Sequence, residues 1–151
     1  MSYVDAVLQK DETVLHRGRL HWIVYLRGVL LLVLAAVLLL LPVDRGWQVL
    51  VNWLAILAAA LSVPFLVHAW YDQWITEMAV TDRRIIYKRG LIRRMTAEMN
   101  LEKVESINVV QSILGRILDY GTIDVRGTGG GIEGVRGIAQ PLAFRSAITA
   151  R

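Results

Sequence analysis

The stretch GVLLLVLAAVLLLL, residues Gly28–Leu41, contains no polar or charged side chain and decides the architecture of this chain. As a helix it rises only about 21 Å, less than the roughly 30 Å of a bilayer's hydrocarbon core. We therefore expect the span to cover residues 20–41, with the Arg27 side chain extending toward the membrane interface. Trp22 and Tyr25 lie where interfacial aromatic residues are common.

A second apolar stretch, Trp47–Trp70, contains no Asp, Glu, Lys or Arg. Its helix would be about 35 Å long, which is enough to span a bilayer with some tilt. Pro42–Gly46 forms a compact turn between the two stretches. A cleaved signal peptide is disfavoured because the first stretch follows 20 mixed residues and no A-x-A site comes after it. The sequence therefore predicts a transmembrane helical hairpin.

Basic residues flank this hairpin on both sides and are sparse in its loop, which contains only Arg45. The flanking residues are Lys10, Arg17, Arg19 and Arg27 on one side and Arg83, Arg84, Lys88 and Arg89 on the other. Because cytoplasmic flanks accumulate Lys and Arg, both termini are expected in the cytoplasm. The same rule accounts for the net charge of +4, from 17 basic and 13 acidic residues, without a nucleic-acid partner.

After Asp72 the pattern changes to an alternation of apolar and polar residues that indicates β-strands. About six short strands are predicted, at Trp74–Val80, 84–88, Ile92–Met99, Val104–Val110, 122–126 and Val135–Ala139. Ile113, Leu114, Ile117 and Leu118 recur at helical spacing, and Ser112 is a candidate N-cap. A last short helix follows Pro141, with Leu142, Phe144 and Ile148 expected to face the sheet.

These patterns divide the chain into three parts. Residues 1–19 form a cytoplasmic N-terminal segment, residues 20–71 the transmembrane hairpin (about 20–41 and 47–70), and residues 72–151 a cytoplasmic, mainly β domain. We expect the 72–151 domain to fold without its anchor, because its own apolar positions have β periodicity and a closing helix.

Three segments of this domain resemble bacterial pleckstrin-homology (PH) domains of the membrane-anchored, YdbS-like branch: 79–91 (AVTDRRIIYKRGL), 101–112 (LEKVESINVVQS) and 113–123 (ILGRILDYGTI). The preceding double span is also typical of that branch. The resemblance implies a PH-like fold, in which a bent antiparallel sheet or barrel is closed by a C-terminal helix. It further implies a location in the bacterial cytoplasmic (inner) membrane and a role as a docking platform for lipid headgroups, peptides or proteins.

No enzymatic constellation, cofactor site or metal site is predicted. The chain has no cysteine, and no G-x-S-x-G, H-E-x-x-H or P-loop pattern occurs. A formal G-x-G-x-x-G begins at Gly129, but a strand rather than a helix is predicted after it, which disfavours a dinucleotide site. We interpret it as a mobile hairpin loop with a candidate binding role, made of Gly127, Thr128, Gly129, Gly130 and Gly131.

The hairpin that follows the second span is the other candidate site. Its basic residues are Arg83, Arg84, Lys88, Arg89, Arg93 and Arg94, with no acidic residue among them. Each could gain on the order of 1 kcal/mol from anionic lipid headgroups, or the charges could serve only to retain the domain in the cytoplasm.

Our leading hypothesis is a non-enzymatic, membrane-tethered module that docks proteins, anionic lipid headgroups or both at the cytoplasmic face of the membrane. Its expected partners are membrane lipids and an unidentified membrane or cytoplasmic protein, with a homo-oligomer left open. Neither nucleic acid nor a small-molecule substrate is expected. The alternative is an accessory subunit of a membrane enzyme or transporter whose chemistry lies in a partner protein.

Overall fold

The structure is a computed structural model that describes residues 3–90 and 95–150. These residues form two compact units, a helical unit at Trp22–Asp72 and a β unit made of the residues on either side of it. The helices are α1 (Tyr3–Val7), α2 (Leu26–Leu40), α3 (Arg45–Ile75), α4 (Ile113–Ile117) and α5 (Pro141–Thr149). The strands are β1 (Val14–Gly18), β2 (Glu77–Thr81), β3 (Arg84–Arg89), β4 (Met95–Asn100), β5 (Val104–Val110), β6 (Tyr120–Gly127) and β7 (Gly130–Ala139).

The helical unit contains the two predicted apolar helices, both long and apolar enough to cross a membrane. A short 3-10 turn, Trp22–Tyr25, leads into α2. The α3 helix runs on to Ile75, so the prediction that Trp74 begins a strand was wrong. An ion pair one turn apart, His68 Nε2 to Asp72 Oδ2 at 3.4 Å, supports this last part of the helix.

Small residues form the buried positions of both helices. On α2 they are Gly28 and Ala35; on α3 they are Ala55, Ala58, Ser62 and Ala69, three to seven residues apart. A side chain at Gly28 would place its Cβ 2.6 Å from the Leu66 side chain, so this glycine lets the two helices approach closely. Most of the larger aliphatic and aromatic side chains of both helices point outward and are exposed.

The β unit consists of two antiparallel sheets, with strand orders β1-β2-β3-β4 and β5-β6-β7. The six predicted strands are therefore present as β2 to β7, although Ile92, Arg93 and Arg94 lie outside the described residues. A seventh strand, β1, comes from the N-terminal segment and pairs with β2. Residues 3–21 thus belong to the same unit as the residues after Gln73.

The two central strands of the first sheet, β2 and β3, are buried on both faces, which explains their runs of consecutive buried residues. One face carries Val80 and Ile85 into the main core, which also includes residues of the second sheet and α5. The other face carries Ala79 and Ile86, which pack against Val4 of α1. Helix α1 therefore covers a surface that would otherwise leave apolar side chains in water.

Helix α5 closes the main core from one side. Phe144 is fully buried at its centre and Ile148 packs beside it, as predicted. Leu142 is exposed, so its predicted contact with the sheet was wrong. On a helix, residues 144 and 148 share one face, and residue 142 lies away from it.

The glycine-rich segment is mostly strand. Strand β6 continues to Gly127, β7 begins at Gly130, and only Thr128 and Gly129 lie between them. Gly129 has φ of +94° in this turn, which a residue with a side chain rarely adopts. The predicted hairpin is therefore present, but its turn is shorter than the five residues Gly127–Gly131, because Gly127, Gly130 and Gly131 lie in strands whose pairing shifts register twice.

Candidate functional site

The β unit has one end at which the chain connects to the apolar helices, which we call the connection end. Leu20 and Gln73 mark it, and the Gln73 side-chain amide donates to the Leu20 carbonyl at 3.3 Å. The opposite end, which we call the far end, carries the β2–β3 turn and the β6–β7 turn. The far-end turns are held by neighbouring segments: the Asp82 backbone N–H donates to Thr13 at 3.1 Å, and that of Thr128 donates to Lys103 at 3.1 Å.

The basic hairpin does not form a single surface. Strand β3 runs from Arg84 at the far end to Lys88 and Arg89 at the connection end, where Lys88 lies opposite Glu77. Five residues of strand separate Arg84 from Arg89 by roughly 17 Å. Arg83 lies in the far-end turn with Arg84, while Arg93 and Arg94 lie outside the described residues.

Arg84 is part of a buried ion pair and is not available to an external ligand. Its Nε and NH2 groups donate to the two carboxylate oxygens of Glu12 at 2.9 and 2.8 Å. The Thr81 hydroxyl donates to the same carboxylate at 2.7 Å, and Arg84 NH1 donates to Glu98 at 2.7 Å. The hydrogen bonds from Arg84 lower the pKa of Glu12 to about 2, and Glu12 in turn raises the pKa of Arg84. This network connects the N-terminal segment to the β2–β3 turn.

The other basic residues of the hairpin differ in exposure. Lys88 is half-buried: its ammonium lies 3.4 Å from Glu77 Oε1 and 5.2 Å from the centre of the Tyr3 ring. Arg89 is exposed at the connection end. Arg83 is exposed at the far end, with its Nε 3.9 Å from Asp82. Arg89 and Arg83 are therefore exposed arginines at opposite ends of one strand.

The glycine-rich turn contributes to an open cleft of about 350 Å³ at the far end. The residues Thr128, Gly129, Gly130 and Gly131 form one wall, and the end of β4 with Lys103 forms the other. The predicted binding loop thus lies beside the end of strand β4. The cleft offers backbone groups and the Lys103 side chain, while the Glu98 carboxylate at its rim is bonded to Arg84.

Among residues 3–90 and 95–150, no group of three or more His, Asp or Glu side chains is placed to hold a metal ion. The local sequence pattern does not reveal Glu12, which lies 72 residues before its partner Arg84. Nor does it show that Leu20 and Gln73 meet, since 53 residues separate them.

Comparison with known proteins gives one match, to the family model described as "Bacterial PH domain", over residues 22–151. No curated protein and no solved structure matches this chain. The match covers both apolar helices, strands β2 to β7 and α5, while β1 lies outside it. Since the matched range is most of the chain, and the β unit has the two antiparallel sheets and C-terminal helix of a PH-like fold, this protein belongs to the bacterial PH domain family.

Proposed function

We propose that this protein is a non-enzymatic docking module, tethered to the cytoplasmic face of the bacterial inner membrane by α2 and α3. The observation that carries the proposal is the exposure of large apolar side chains all along these helices, including Leu40, Trp53 and Leu57. Core helices of soluble proteins bury such side chains, whereas lipid accommodates them. The pairing of two such helices with a PH-like unit also supports the membrane-anchored branch of the family.

The distribution of basic residues supports an orientation with both termini inside. The loop between the helices carries only Arg45, whereas basic residues flank the helices on both sides. In this orientation the connection end is held at the membrane by two chain segments. The far end, with its cleft, then has access to cytoplasmic proteins.

Each end of the β unit would serve a different partner. At the connection end, Arg89 would contact anionic lipid headgroups. At the far end, the cleft beside Thr128 would accept a segment of a partner protein.

Cysteine accessibility tests the tether and the orientation, and the absence of native cysteines makes single-cysteine variants straightforward. Asp44→Cys in the loop and Ser146→Cys on α5 both replace exposed residues. In intact spheroplasts, an impermeant thiol reagent should label position 44 and not position 146, and both should react after lysis. Labelling of position 146 in intact spheroplasts, with none at 44, would overturn the orientation; recovery of the protein in the soluble fraction would overturn the tether.

Site-specific photo-crosslinking tests docking at the far end. A photoreactive residue at Thr128 should give discrete protein adducts in cells. The matched position is Leu15, which is also exposed but does not line the cleft. Adducts of equal size and yield at both positions would argue against a specific site in the cleft.

A further inference from the structure

The α4 helix exposes an apolar surface that the β unit leaves uncovered. Four large aliphatic side chains, here called the α4 apolar surface, are between 61% and 81% exposed: Val110, Ile113, Leu114 and Ile117. They follow one another within eight residues of chain. An exposed cluster of this kind marks a surface that contacts protein or membrane.

The outward orientation of α4 is fixed by Gln111 and Gly115, which face the β unit, and Ser112 caps the helix. The Ser112 hydroxyl accepts from the Gly115 backbone N–H at 3.0 Å. The Gln111 side chain donates to the carbonyls of Gly115 and Tyr120, at 3.2 and 3.1 Å. A Cβ at Gly115 would lie 2.6 Å from the Tyr120 carbonyl, so only glycine allows this close approach. The apolar side chains are therefore held away from the core.

The α4 apolar surface lies at the connection end. Tyr120, which directly follows α4 and accepts the Gln111 hydrogen bond, stacks on His21 with ring centres 5.4 Å apart. The His21 backbone N–H donates to Gly137 at 2.6 Å, and Leu20 bridges to Ile138. His21 is the last residue of the β unit before the chain continues into the first apolar helix at Trp22. The exposed cluster thus lies beside the point at which the chain leaves for the proposed membrane span.

We propose that the α4 apolar surface inserts into the headgroup–acyl boundary of the same bilayer, as a second, apolar contact between the β unit and lipid. The apolar face of an interfacial helix buries about 5–10 Å into this boundary. The charged residues near the cluster are Arg116 and Asp119, one of each sign. The contact therefore depends on apolar burial and requires no anionic lipid. This inference rests on the proposed membrane tether.

A depth-resolved fluorescence experiment on the full-length protein in phosphatidylcholine nanodiscs tests the contact. Single cysteines at Leu114, Leu15 and Leu57 would carry the environment-sensitive nitrobenzoxadiazole label, one position per variant. Leu15 is a matched control, an exposed leucine of β1 (55% exposed) near the far end. Leu57 lies in the middle of α3 and, measured with a nitroxide deep on the acyl chain, reports whether the tether itself is in the bilayer.

We expect a blue-shifted emission at position 114. Lipids with a nitroxide high on the acyl chain should quench the label at position 114 at least about twofold more strongly than the label at position 15. Quenching at 114 should already be present in neutral nanodiscs at physiological salt, since apolar burial requires no anionic lipid. Ile113→Ser with Ile117→Ser should reduce it toward the value at position 15. Both side chains are exposed, so the circular dichroism spectrum should not change.

The outcomes separate this inference from the proposed function. Quenching at 57 without quenching at 114 would overturn the α4 contact and leave the tether intact. No quenching at 57 would overturn the tether, and the α4 proposal with it. A blue shift at 114 without lipid quenching would mean that a protein surface covers α4, whether the nanodisc holds one protein or several. This result would also overturn the lipid contact.

Discussion

Glu12 connects parts of the chain that are far apart in sequence. Its carboxylate accepts from Thr81 and Arg84 in the β2–β3 turn and from the Gln9 backbone N–H at 2.8 Å. Both the Glu12 and Arg84 side chains are buried, so each neutralises a charge that would be costly alone. The pair therefore holds the N-terminal segment against the first sheet.

We predict that Glu12→Gln destabilises the protein by about 3 kcal/mol, because it removes the buried carboxylate that neutralises Arg84 and leaves only the more exposed Glu98 as its ion-pair partner. The effect should depend on pH. The folded-state pKa of Glu12 is about 2, below its ordinary value of 4.5. The stabilisation is therefore complete above about pH 4.5 and is lost as the pH falls toward 2.

Urea unfolding in detergent, followed by circular dichroism between pH 3 and 7, measures this effect. The difference between Glu12→Gln and the unchanged protein should shrink as the pH is lowered. Glu133→Gln is the control, because Glu133 forms an exposed pair with Arg126 at 3.7 Å, which contributes less than about 1 kcal/mol. Equal unfolding midpoints for the two variants at pH 7 would contradict the role of Glu12.

At the scale of whole elements, strands β5 and β6 and helix α4 could be predicted because their sequence signals are local, and the structure confirms these three predictions. Strand β6 alternates buried and intermediate residues along much of its length, as an amphipathic strand should. Ser112 caps α4 by accepting from the Gly115 N–H, which its position before an apolar helical pattern indicates. These features depend on neighbours within a few residues.

Elements whose environment is created by distant residues could not be predicted in this way. The burial of Ala79 and Ile86 depends on α1, more than 70 residues earlier. The strand character of Gly130 and Gly131 depends on pairing with Arg126 and Gly127 of β6, whereas their local propensity favours a loop. The separation of Arg84 from Arg89 follows from the direction of β3, which the charge count of the hairpin does not contain.

The α2–α3 contact gives a prediction at this scale. Gly28→Leu should lower the stability of the helical unit by about 1–3 kcal/mol, because its side chain would overlap Leu66. Thermal unfolding of the helical circular dichroism signal in detergent measures the change. Val29→Leu is the control, because Val29 is exposed. Leu66→Ala in the Gly28→Leu background should recover part of the loss, and no recovery would argue against a direct contact.

At the scale of the whole molecule, the β unit is discontinuous in sequence, since the helical unit is inserted between His21 and Gln73. The expected domain boundary at Asp72 leaves out β1, α1 and Glu12. A fragment of residues 72–151 would expose the Ala79 and Ile86 face and leave Arg84 without Glu12. We therefore expect that this fragment does not fold cooperatively, contrary to the expectation from its strand pattern alone.

Joining residues 1–21 to residues 73–151 through a short linker should produce a soluble, folded β unit. Leu20 and Gln73 are hydrogen-bonded, so a flexible Gly/Ser linker of about six residues is long enough. The linked variant should give a β-dominated circular dichroism spectrum and one cooperative thermal transition, whereas the 72–151 fragment should give neither. Cooperative unfolding of the fragment with the same midpoint would show that β1 and α1 are dispensable.

The two ends of the β unit also predict different responses to charge reversal. Once its fold is verified, the linked variant should sediment with vesicles that contain anionic lipid, through basic residues at the connection end. Arg89→Glu should weaken this binding about fivefold or more, since each basic residue near the surface contributes about 1 kcal/mol. Arg83→Glu is the matched control, an exposed arginine on the same hairpin that lies at the far end. It changes the net charge by the same amount, so a purely non-specific attraction would weaken vesicle binding equally in the two variants.

Raising salt to physiological ionic strength should remove most of the difference in vesicle binding between Arg89→Glu and the unchanged sequence, because exposed charges are then screened within about 8 Å. Equal loss in both variants would show that the overall charge of the hairpin, and not its connection end, governs contact with lipid.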